Sequence, residues 1–455
     1  MVRSRRLSGR FPRLPHVRDT RGVWRTWSGG EACVPAERVA PSSVTEVAEA
    51  VASAAQAGRT VRVAGAGHSF TPTVLTDGTL LSLERMARVV DVDRATGLVR
   101  VQAGATLGQI SDALWEHGLA FENLGDIDVQ TIAGATATGT HGTGATLRNL
   151  SAGLTAVQLV DGGGTVHELT ADGPDGGDAW RAARVSVGAL GVVTAVTLQA
   201  VPAFVLSGRD AVESRADVFE TFFDRAAAHD HFETWAFPYA RNVITRTNDR
   251  VDGPPRPRGR AHAWAEDVVL KNGALSAFSM LGRGVPKLIP TINRAVTRFG
   301  AGPLLVDRSY RVFATPRLVR FNEMEYALPR EHLITAARAV LDMIERRRLP
   351  TNFPLELRTV AGDDALLSPA GGRDTGYVAV HVYRGMEWQP YFRDVEAIMR
   401  ELGGRPHWGK RHFRTAADLA PEYPGWARFQ AVRSRLDPAG VFTNGYVRQI
   451  LGPPA

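Results

Sequence analysis

Two loops of small residues have the composition that a phosphate-binding backbone needs. The first reads Gly65-Ala66-Gly67-His68-Ser69-Phe70. The second, from Gly134 to Gly144, contains eleven residues and no large aliphatic side chain. Side chains keep a backbone away from a pyrophosphate, so glycine and hydroxyl residues let N–H groups approach it. Together the loops predict a phosphate-binding site, and the alternative for each is a simple tight turn.

Neither loop matches the common nucleotide-binding motifs. In the first loop, Phe70 stands where the G-x-G-x-x-G motif requires its last glycine. Neither loop contains the lysine of a Walker motif. A Rossmann fold and a P-loop are therefore disfavoured.

Charged and titratable residues with strand-like spacing mark a second candidate site. Glu356 and Arg358 lie two residues apart, so on a strand their side chains share one face and present an acceptor beside a cation. His381 and Tyr383 have the same spacing, and His381 is the candidate proton acceptor. The alternatives are an ordinary surface ion pair and a core histidine.

Lysine usage singles out one further cation. The chain contains three lysines and 51 arginines, so arginine serves for ordinary positive charge. Lys410, between Gly409 and Arg411, therefore indicates a need for a compact ammonium group, whose pKa burial can lower. We expect Lys410 to be a second cation of the candidate site.

The elements that would position these residues differ between the two halves of the chain. Up to about residue 203, amphipathic helices alternate with short strands and glycine turns. From Phe204 onward, aromatic residues increase and glycine decreases, which indicates a second domain. Its predicted helices lie near residues 213–229, 329–348 and 389–402, and its predicted strands near 355–361 and 376–384.

The overall composition is that of an ordinary globular protein. The 455 residues are 44% hydrophobic and 22% charged, and no run approaches the roughly 20 apolar residues of a membrane span. Cys33 is the only cysteine, which excludes an intramolecular disulfide and favours a reducing, cytoplasmic setting.

The positive charge of the chain is concentrated at its start. The formal net charge is +7, and residues 1–30 alone hold eight arginines and one acid, Asp19. The rest of the chain is balanced, so we expect no basic nucleic-acid groove on the folded body. Residues 1–30 are predicted to be a mobile extension.

Six motifs in one order resemble those of a known family. They lie at residues 65–70, 131–144, 188–194, 356–358, 407–410 and 444–448. From about Trp24 to Gly452, the chain resembles the FAD-dependent sugar-1,4-lactone oxidoreductases, flavoproteins of the vanillyl-alcohol-oxidase fold group. Within that family it is most similar to the actinobacterial L-gulono-1,4-lactone dehydrogenases, with D-arabinono-1,4-lactone oxidase and alditol oxidase as more distant relatives.

The resemblance implies an α+β fold with two domains. An FAD-binding domain would span residues 31–203, a mixed α/β substrate cap 204–412, and a C-terminal segment, 413–455, would return to the FAD domain. Residues 1–30 would remain a flexible basic extension. The cofactor would be FAD, and His68 stands where the family often forms a covalent bond to the flavin 8α-methyl.

The resemblance also assigns the cofactor contacts, and it assigns no metal. The implied FAD-binding residues are Gly65, Ala66, Gly67, His68, Ser69, Phe70, Gly125, Gly134, Thr138, Thr140, His141, Gly142, Gly188, Gly191, Val193, Asn444 and Tyr446. Among them, His141 would be a structural or phosphate-side contact.

The implied reaction is oxidation of the C2 hydroxyl of an aldono-1,4-lactone of the L-gulono-1,4-lactone type. Hydride would pass to flavin N5 and give an ascorbate-type product. Arg358 and Lys410 would stabilise the negative charge of the reduced ring, Glu356 would orient Arg358 or bind a substrate hydroxyl, and His381 would take the proton.

Two neighbouring residues bear on the electron acceptor and the substrate. Gly125 falls where relatives are thought to block oxygen from the flavin, so it permits oxygen as acceptor beside an electron carrier. Asp126 replaces a serine of alditol oxidase, which favours a lactone over an open-chain polyol. The alternatives left open are an alditol oxidase producing hydrogen peroxide, a non-catalytic flavin- or nucleotide-binding protein, and a nucleic-acid binder led by the basic extension.

Overall fold

The computed structural model describes residues 22–454 of the chain. The first half of this part is built from short strands and four α-helices. The strands are β1 (Trp24–Arg25), β2 (Ala32–Cys33), β3 (Glu37–Val39), β4 (Val61–Ala64), β5 (Thr79–Ser82), β6 (Val89–Val92), β7 (Leu98–Gln102), β8 (Leu119–Ala120), β9 (Leu154–Val160), β10 (Val166–Thr170), β11 (Val192–Gln199) and β12 (Val201–Pro202). The helices are α1 (Val44–Gln56), α2 (Leu107–Glu116), α3 (Ile132–Ala137) and α4 (Asp178–Arg184).

Two sheets organise this half. β3, β5 and β4 form a parallel sheet in that order, and β10, β9, β11, β7 and β6 form an antiparallel sheet. Helix α1 begins after Ser43, whose hydroxyl accepts the Glu46 N–H, and it buries Val47 and Val51 in the core beside β4. The small parallel sheet therefore delivers the first glycine loop, which follows β4 directly.

A single eight-stranded antiparallel sheet forms most of the second half. Its strands are β13 (Val205–Ser214), β14 (His231–Ala236), β15 (Asn242–Val251), β16 (Leu305–Arg308), β17 (Phe321–Pro329), β18 (Leu355–Val360), β19 (Thr375–Tyr383) and β20 (Arg405–Pro406). They lie in the order β16-β13-β15-β14-β18-β19-β17-β20. The helices are α5 (Arg215–Glu220), α6 (Phe222–Ala228), α7 (Arg260–Trp264), α8 (Gly273–Gly284), α9 (Ile289–Phe299), α10 (Ser309–Phe313), α11 (Leu333–Arg347) and α12 (Gln389–Glu401). A π-helical stretch, Ala265–Asn272, joins α7 to α8.

The two faces of this large sheet have opposite chemistry. Because side chains alternate along a strand, Leu357 and Val378 join one hydrophobic core with residues of α11 and α12, such as Leu341 and Phe392. The other face carries charged side chains from β14, β17, β18 and β19. In register, Glu323 pairs with His381, Glu356 with Ala379, and Arg358 with Tyr377. The apolar face is thus covered by helices, and the charged face is turned toward the first half of the chain.

The end of the chain returns to the first half. The last helices are α13 (Ala416–Leu419), α14 (Trp426–Leu436) and α15 (Gly445–Leu451). Phe429 and Val432 of α14 share one core with Val99 and Ile110. The Val61 N–H donates to the Val441 carbonyl at 2.8 Å, so the C-terminal segment contacts the strand that carries the first glycine loop.

Three local predictions differ from the structure. Residues 22–30, predicted to belong to the mobile extension, are packed: β1 pairs with β2, and Thr26 and Ser28 are buried. Residues 22–30 are therefore not part of a mobile extension, and residues 1–21, the rest of the predicted extension, lie outside the described residues. The helix predicted near 213–229 is two short helices, because β13 continues to Ser214. The second glycine loop begins with the short helix α3. Within the described residues, no helix has both the length and the apolar character of a membrane span.

Candidate active site

The first glycine loop is held between the start of the chain and the 407–410 motif. The Phe70 N–H donates to the Gly409 carbonyl at 2.8 Å, and the Trp27 N–H donates to the Gly67 carbonyl at 2.8 Å. The rings of Trp27 and His68 stack with their centroids 5.1 Å apart. Gly67 has a φ of +72°, a conformation that favours glycine. The loop that carries His68 is therefore fixed beside the segment that carries Lys410.

The segment that leads into the second glycine loop touches the first loop. A Cβ atom on Gly65 would lie 2.4 Å from Thr131 Oγ1, so only glycine fits there. The segment before α3 also packs against the second loop, because a Cβ atom on Gly125 would lie 3.0 Å from the His141 carbonyl oxygen. A Cβ atom on Gly409 would lie 3.4 Å from the Thr138 hydroxyl oxygen. The structure thus brings both loops and the 407–410 motif together.

These loops present backbone donors that the protein leaves unpaired. His141, Gly142 and Thr143 are buried, and within the described residues their N–H groups have no hydrogen-bond acceptor. The buried Thr140 hydroxyl also has no partner there. A Cβ atom on Gly142 would lie 2.3 Å from Asn123 Oδ1, so glycine lets the loop pack closely against Asn123. Buried donors without acceptors fit a bound anionic group such as the FAD pyrophosphate.

The C-terminal residues of the predicted cofactor set lie at the base of the first loop. Arg62 of β4 donates to the Gly188 carbonyl at 2.9 Å and to the Phe442 carbonyl at 2.6 Å. Asn444 caps α15 and donates to the Pro72 carbonyl at 3.0 Å. Gly188 is therefore linked to the strand that precedes the loop, and Asn444 to the segment that follows the loop.

The remaining residues of that set have positions in the scaffold. Gly191 directly precedes β11 and Val193 is the second residue of that strand; a Cβ atom on Gly191 would be 2.4 Å from the Val160 carbonyl oxygen. The Tyr446 hydroxyl lies 2.9 Å from His412 Nε2. Gly134 accepts the Thr138 hydroxyl at 3.1 Å. None of these contacts involves the charged face of the large sheet.

An arginine cluster occupies one part of the charged face. Arg358 binds three carboxylates: Asp126 at 2.6 Å, Glu233 at 2.7 Å and Glu356 at 3.1 Å. Burial by itself lowers the pKa of Arg358, but the carboxylates outweigh burial and raise this pKa well above its ordinary value. We use the name arginine cluster for Arg358, Asp126, Glu233 and Glu356. Its central cation cannot lose its proton.

The carboxylates of the arginine cluster are not equivalent. Burial raises the pKa of Asp126, but Arg358 and Arg317 outweigh burial, and the net pKa is below its ordinary value. Arg317 lies 2.9 Å from Asp126. In Glu233, burial outweighs the attraction of Arg358 and raises the pKa. Asp126 is thus ionised, and Glu233 takes up a proton more readily than Asp126.

A lysine cluster occupies the neighbouring part of the same face. Lys410 forms an ion pair with Glu323, and its Nζ lies 3.8 Å from Glu325 Oε2. His381 Nε2 lies 3.4 Å from Glu323 Oε1, and His141 Nε2 lies 3.4 Å from Glu325 Oε2. We use the name lysine cluster for Lys410, Glu323, Glu325, His381 and His141. It joins the second glycine loop to the cap strands.

The charges of the lysine cluster shift its pKa values strongly. Burial lowers the pKa of Lys410, as the sequence predicted, but Glu323 and Glu325 outweigh burial and the net pKa is raised. The carboxylates therefore reverse the lowering that burial alone would cause. The pKa of His381 is raised for the same reason: burial lowers it, but Glu323 outweighs burial. Despite burial, Lys410 and His381 hold the pKa of Glu323 at about 2.

Two histidines complete the surroundings of Glu325. His141 stacks on Tyr377 with centroids 3.7 Å apart, and its Nδ1 lies 2.8 Å from the Gly142 carbonyl oxygen. His407 Nδ1 accepts the Gly409 N–H at 3.0 Å, so the proton of the neutral ring is on Nε2. Burial lowers the pKa of His407 to about 3.

The spacing of His141, Glu325 and His407 also invites comparison with a metal site. Their candidate ligand atoms lie within 4.8 Å of one another. However, one ring nitrogen of His407 already accepts a hydrogen bond and the other carries the proton. The Lys410 ammonium also lies 3.8 Å from Glu325. This donor set therefore suits a proton network better than a bound cation.

Three phenylalanine rings, Phe70, Phe321 and Phe353, lie on one side of His381, and we use the name aromatic wall for them. The ring of Phe321 lies 5.0 Å from the ring of His381 and 5.7 Å from that of Phe70. Phe353 lies 5.8 Å from His381. Tyr383 is paired with Phe321 at the end of β19. The wall lowers the local polarity on one side of the candidate proton acceptor.

The sequence interpretation missed the carboxylates that hold the predicted cations. Glu323 and Glu325 lie two residues apart on β17, the same spacing that singled out Glu356 and Arg358. This spacing could have identified Glu323 and Glu325 as candidate site residues. Glu233 carried no such signal, because it contacts Arg358 only through the pairing of β14 with β18.

Comparison with known proteins places the chain in a family. A family model described as D-arabinono-1,4-lactone oxidase matches residues 196–450, and one described as FAD binding domain matches residues 35–170. The L-gulono-1,4-lactone dehydrogenase of Mycobacterium tuberculosis is 48% identical, over 95% of this chain and 99% of its own. The L-gulonolactone oxidase of Bos taurus is 32% identical over 95% of this chain and 99% of its own. The alditol oxidase of a Streptomyces species is 32% identical over 93% of this chain and 98% of its own.

Solved structures show the same fold. A solvent-stable cholesterol oxidase superimposes with a TM-score of 0.81 at 18% identity, covering 95% of this chain and 98% of the other. This likeness confirms the predicted α+β, two-domain fold. The family matches confirm the FAD-binding domain and the resemblance drawn from the motifs. The chain therefore belongs to the D-arabinono-1,4-lactone oxidase family of FAD-dependent oxidoreductases.

Proposed function

We propose that this protein oxidises the C2 hydroxyl of an aldono-1,4-lactone such as L-gulono-1,4-lactone. The product is a 2-keto lactone that tautomerises to an ascorbate-type enediol. One observation carries this proposal: the arginine and lysine clusters share one sheet face, and that face is turned toward the two donor-rich glycine loops. The names of the relatives at 48% and 32% identity support the substrate class.

The division of labour follows the two halves of the chain. Residues 31–203 with 413–455 hold FAD, and residues 204–412 form the substrate cap. The loops at 65–70 and 138–143 hold the pyrophosphate, with Gly188 and Asn444 supporting the first of them. When bound, FAD supplies the hydride acceptor.

The residues of the chain supply the proton transfer and the charge stabilisation. Neutral His381 takes the proton of the C2 hydroxyl, and Glu323 orients its ring and stabilises the imidazolium that results. Arg358 and Lys410 lie on the same face and stabilise the negative charge that develops on oxygen and on the ring opposite. Glu356, bound to Arg358 at 3.1 Å, positions it and accepts a substrate hydroxyl.

The electrons leave to oxygen or to a carrier. Gly125 has no side chain at the position where the family resemblance places a block to oxygen, which supports oxygen as an acceptor. The single cysteine supports a cytoplasmic location.

An anaerobic reduction experiment tests the proposed substrate. Purified holoprotein is mixed with L-gulono-1,4-lactone, and the flavin absorbance is followed in a stopped-flow instrument. Bleaching by the lactone, much faster than by xylitol or sorbitol, is expected. Faster bleaching by the polyols would favour an alditol oxidase, and no bleaching by either class would favour a non-catalytic flavoprotein. Readmission of oxygen or of a cytochrome then identifies the acceptor.

The covalent attachment through His68 needs its own test. Acid precipitation of the holoprotein should leave the flavin in the pellet, and the His68→Ala variant should release it to the supernatant. A stacked but unbonded His68 would release flavin from the wild type as well. This outcome leaves the proposed reaction intact, because the charge-stabilising residues lie elsewhere.

A further inference from the structure

Exposed apolar side chains are concentrated in one short part of the cap. Of the sixteen exposed large hydrophobic residues of the described chain, ten lie between Trp264 and Leu304. Six of them lie on and around α8 and α9: Phe278, Met280, Leu281, Val285, Leu288 and Phe299. Scattered exposed apolar residues are normal, but such a concentration marks an interaction surface. We call residues 278–299 the α8–α9 surface.

Helix α8 is inverted relative to an ordinary surface helix. It buries Ser279 completely, and the Ser279 hydroxyl has no partner in the described part of the chain. Meanwhile Met280 is 57% exposed and Leu281 44% exposed. A helix facing water places its apolar side chains inward. The orientation of α8 is therefore favourable only if its outer face meets an apolar medium.

The same segment is strongly basic. Residues 254–304 contain eight arginines and lysines and two acids, although residues 31–455 as a whole are balanced. Both acids, Glu266 and Asp267, bind Arg258. Four cations are exposed and have no carboxylate within 4.0 Å in the described chain: Arg283, Lys287, Arg294 and Arg298. The α8–α9 surface thus combines an apolar helix face with unpaired positive charge.

We propose that the α8–α9 surface docks on an anionic lipid bilayer. Apolar side chains beside unpaired cations are what an interfacial helix presents to acyl chains and acidic head groups. A second copy of this chain would bring the same positive charge to the contact, so repulsion disfavours a symmetric dimer through this face. The docked protein lies on the bilayer and does not span it.

The docking surface is connected to the candidate active site. A Cβ atom on Gly282 of α8 would lie 3.6 Å from Asn352, and the Asn293 amide of α9 donates to the Thr351 carbonyl at 3.1 Å. The next residue, Phe353, packs 5.8 Å from His381. Docking through α8 and α9 would therefore hold the aromatic wall of the site near the bilayer surface.

Vesicle co-sedimentation of the full-length holoprotein tests this proposal. Vesicles of phosphatidylcholine alone are compared with vesicles that also contain about 30% phosphatidylglycerol. The wild type should bind the anionic vesicles. The double variant Leu281→Glu, Val285→Glu should lower the partition coefficient at least about tenfold, since it removes apolar contact and adds negative charge. Arg294→Glu with Arg298→Glu should have a similar effect that disappears at high salt.

Matched controls separate this surface from the basic N-terminal residues. Val90→Glu changes a residue that is 57% exposed on the FAD-domain side, and Arg94→Glu reverses an exposed charge there, so both should bind like wild type. All variants should keep wild-type flavin reduction, which shows that they fold. Equal vesicle binding by wild type and the α8–α9 variants would assign binding to residues 1–30 and overturn the proposal. Failure of wild type to bind, or a dimer dissociated by Leu281→Glu, would also overturn it.

Discussion

The arginine cluster and the lysine cluster lie side by side on one sheet face, yet they differ in how charge can move. In the arginine cluster, one cation that cannot lose its proton is held by three carboxylates. In the lysine cluster, two carboxylates share an ammonium group and two imidazoles, and the imidazole of His381 can take up and release a proton. The first cluster is built to keep a charge in place, and the second to pass a proton.

This difference assigns separate tasks to the two clusters. A positive charge of fixed position stabilises an oxyanion without reorganisation. A base must be neutral before the reaction and cationic after it, and His381 beside Glu323 meets that need. The comparison therefore predicts that variants of the arginine cluster change rates at every pH, whereas variants of the lysine cluster also change the pH profile.

The largest effect is expected for Arg358→Lys. Lysine keeps the charge but, as a point charge, cannot contact three carboxylates as the guanidinium does, so the charge moves away from its position. We expect flavin reduction by the lactone to slow by about 10²-fold or more at all pH values, measured by anaerobic stopped flow. Arg317→Lys, at the outer side of Asp126, is the control and should lose far less. Equal losses in both variants would contradict the task assigned to Arg358.

The next effect is expected for Lys410→Met, which removes the ammonium group at similar side-chain length. Glu323 and Glu325 then lose the ammonium group they share, and both should take up protons at higher pH than in wild type. Reduction should slow by about 10- to 100-fold, with a changed pH profile. Lys287→Met, which lies in an exposed helix, should leave both rate and profile unchanged. A rate loss with an unaltered profile would place Lys410 with the fixed charges.

A smaller but more diagnostic effect is expected for Glu323→Gln. Glu323 raises the pKa of His381, while Lys410 lowers it and Glu356 raises it further. In wild type, activity falls as the pH drops through this raised pKa, because His381 is then protonated. Without Glu323 the pKa of His381 falls, so the acidic limb of kcat/KM should move to lower pH.

The matching control is another buried carboxyl group of the same domain. Glu396→Gln removes an acid that binds the Tyr326 hydroxyl at 2.6 Å on the opposite, apolar face of the sheet. This variant should lose stability but keep the acidic limb in place. A shift of the limb to higher pH in Glu323→Gln, or no shift, would show that His381 is not the base.

The smallest effect is expected for Asp126→Ser. Arg358 keeps its contacts with Glu233 and Glu356, so the rate with lactone should fall by only about 3- to 10-fold. The loss of one carboxylate should favour open-chain polyols, and the ratio of kcat/KM for xylitol to that for lactone should rise. An unchanged ratio would remove Asp126 from substrate discrimination and leave it a support of Arg358.

Several helices and strands of the cap can be predicted from the local sequence alone. The strands predicted near 355–361 and 376–384 are β18 and β19, each within one residue of the predicted bounds. The helices predicted near 329–348 and 389–402 are α11 and α12. Periodicity over six to fifteen residues is a local property, so it survives in the sequence. The packed turn at residues 22–30 was missed because its partners, such as His68, are distant in the chain.

What the sequence determined by itself is the chemistry available: two donor-rich glycine loops, an acid and a guanidinium on one strand face, and a rare lysine near the end. What only the tertiary structure decided is the pairing of those groups. Lys410 meets Glu323 across 87 positions of the chain, and Arg358 meets Asp126 across 232. The order and register of the strands determine these contacts, and the contacts determine the direction of each pKa shift. The sequence specifies which charged side chains are present. A Coulomb interaction depends on the distance between two charges, and that distance is fixed only when the chain has folded.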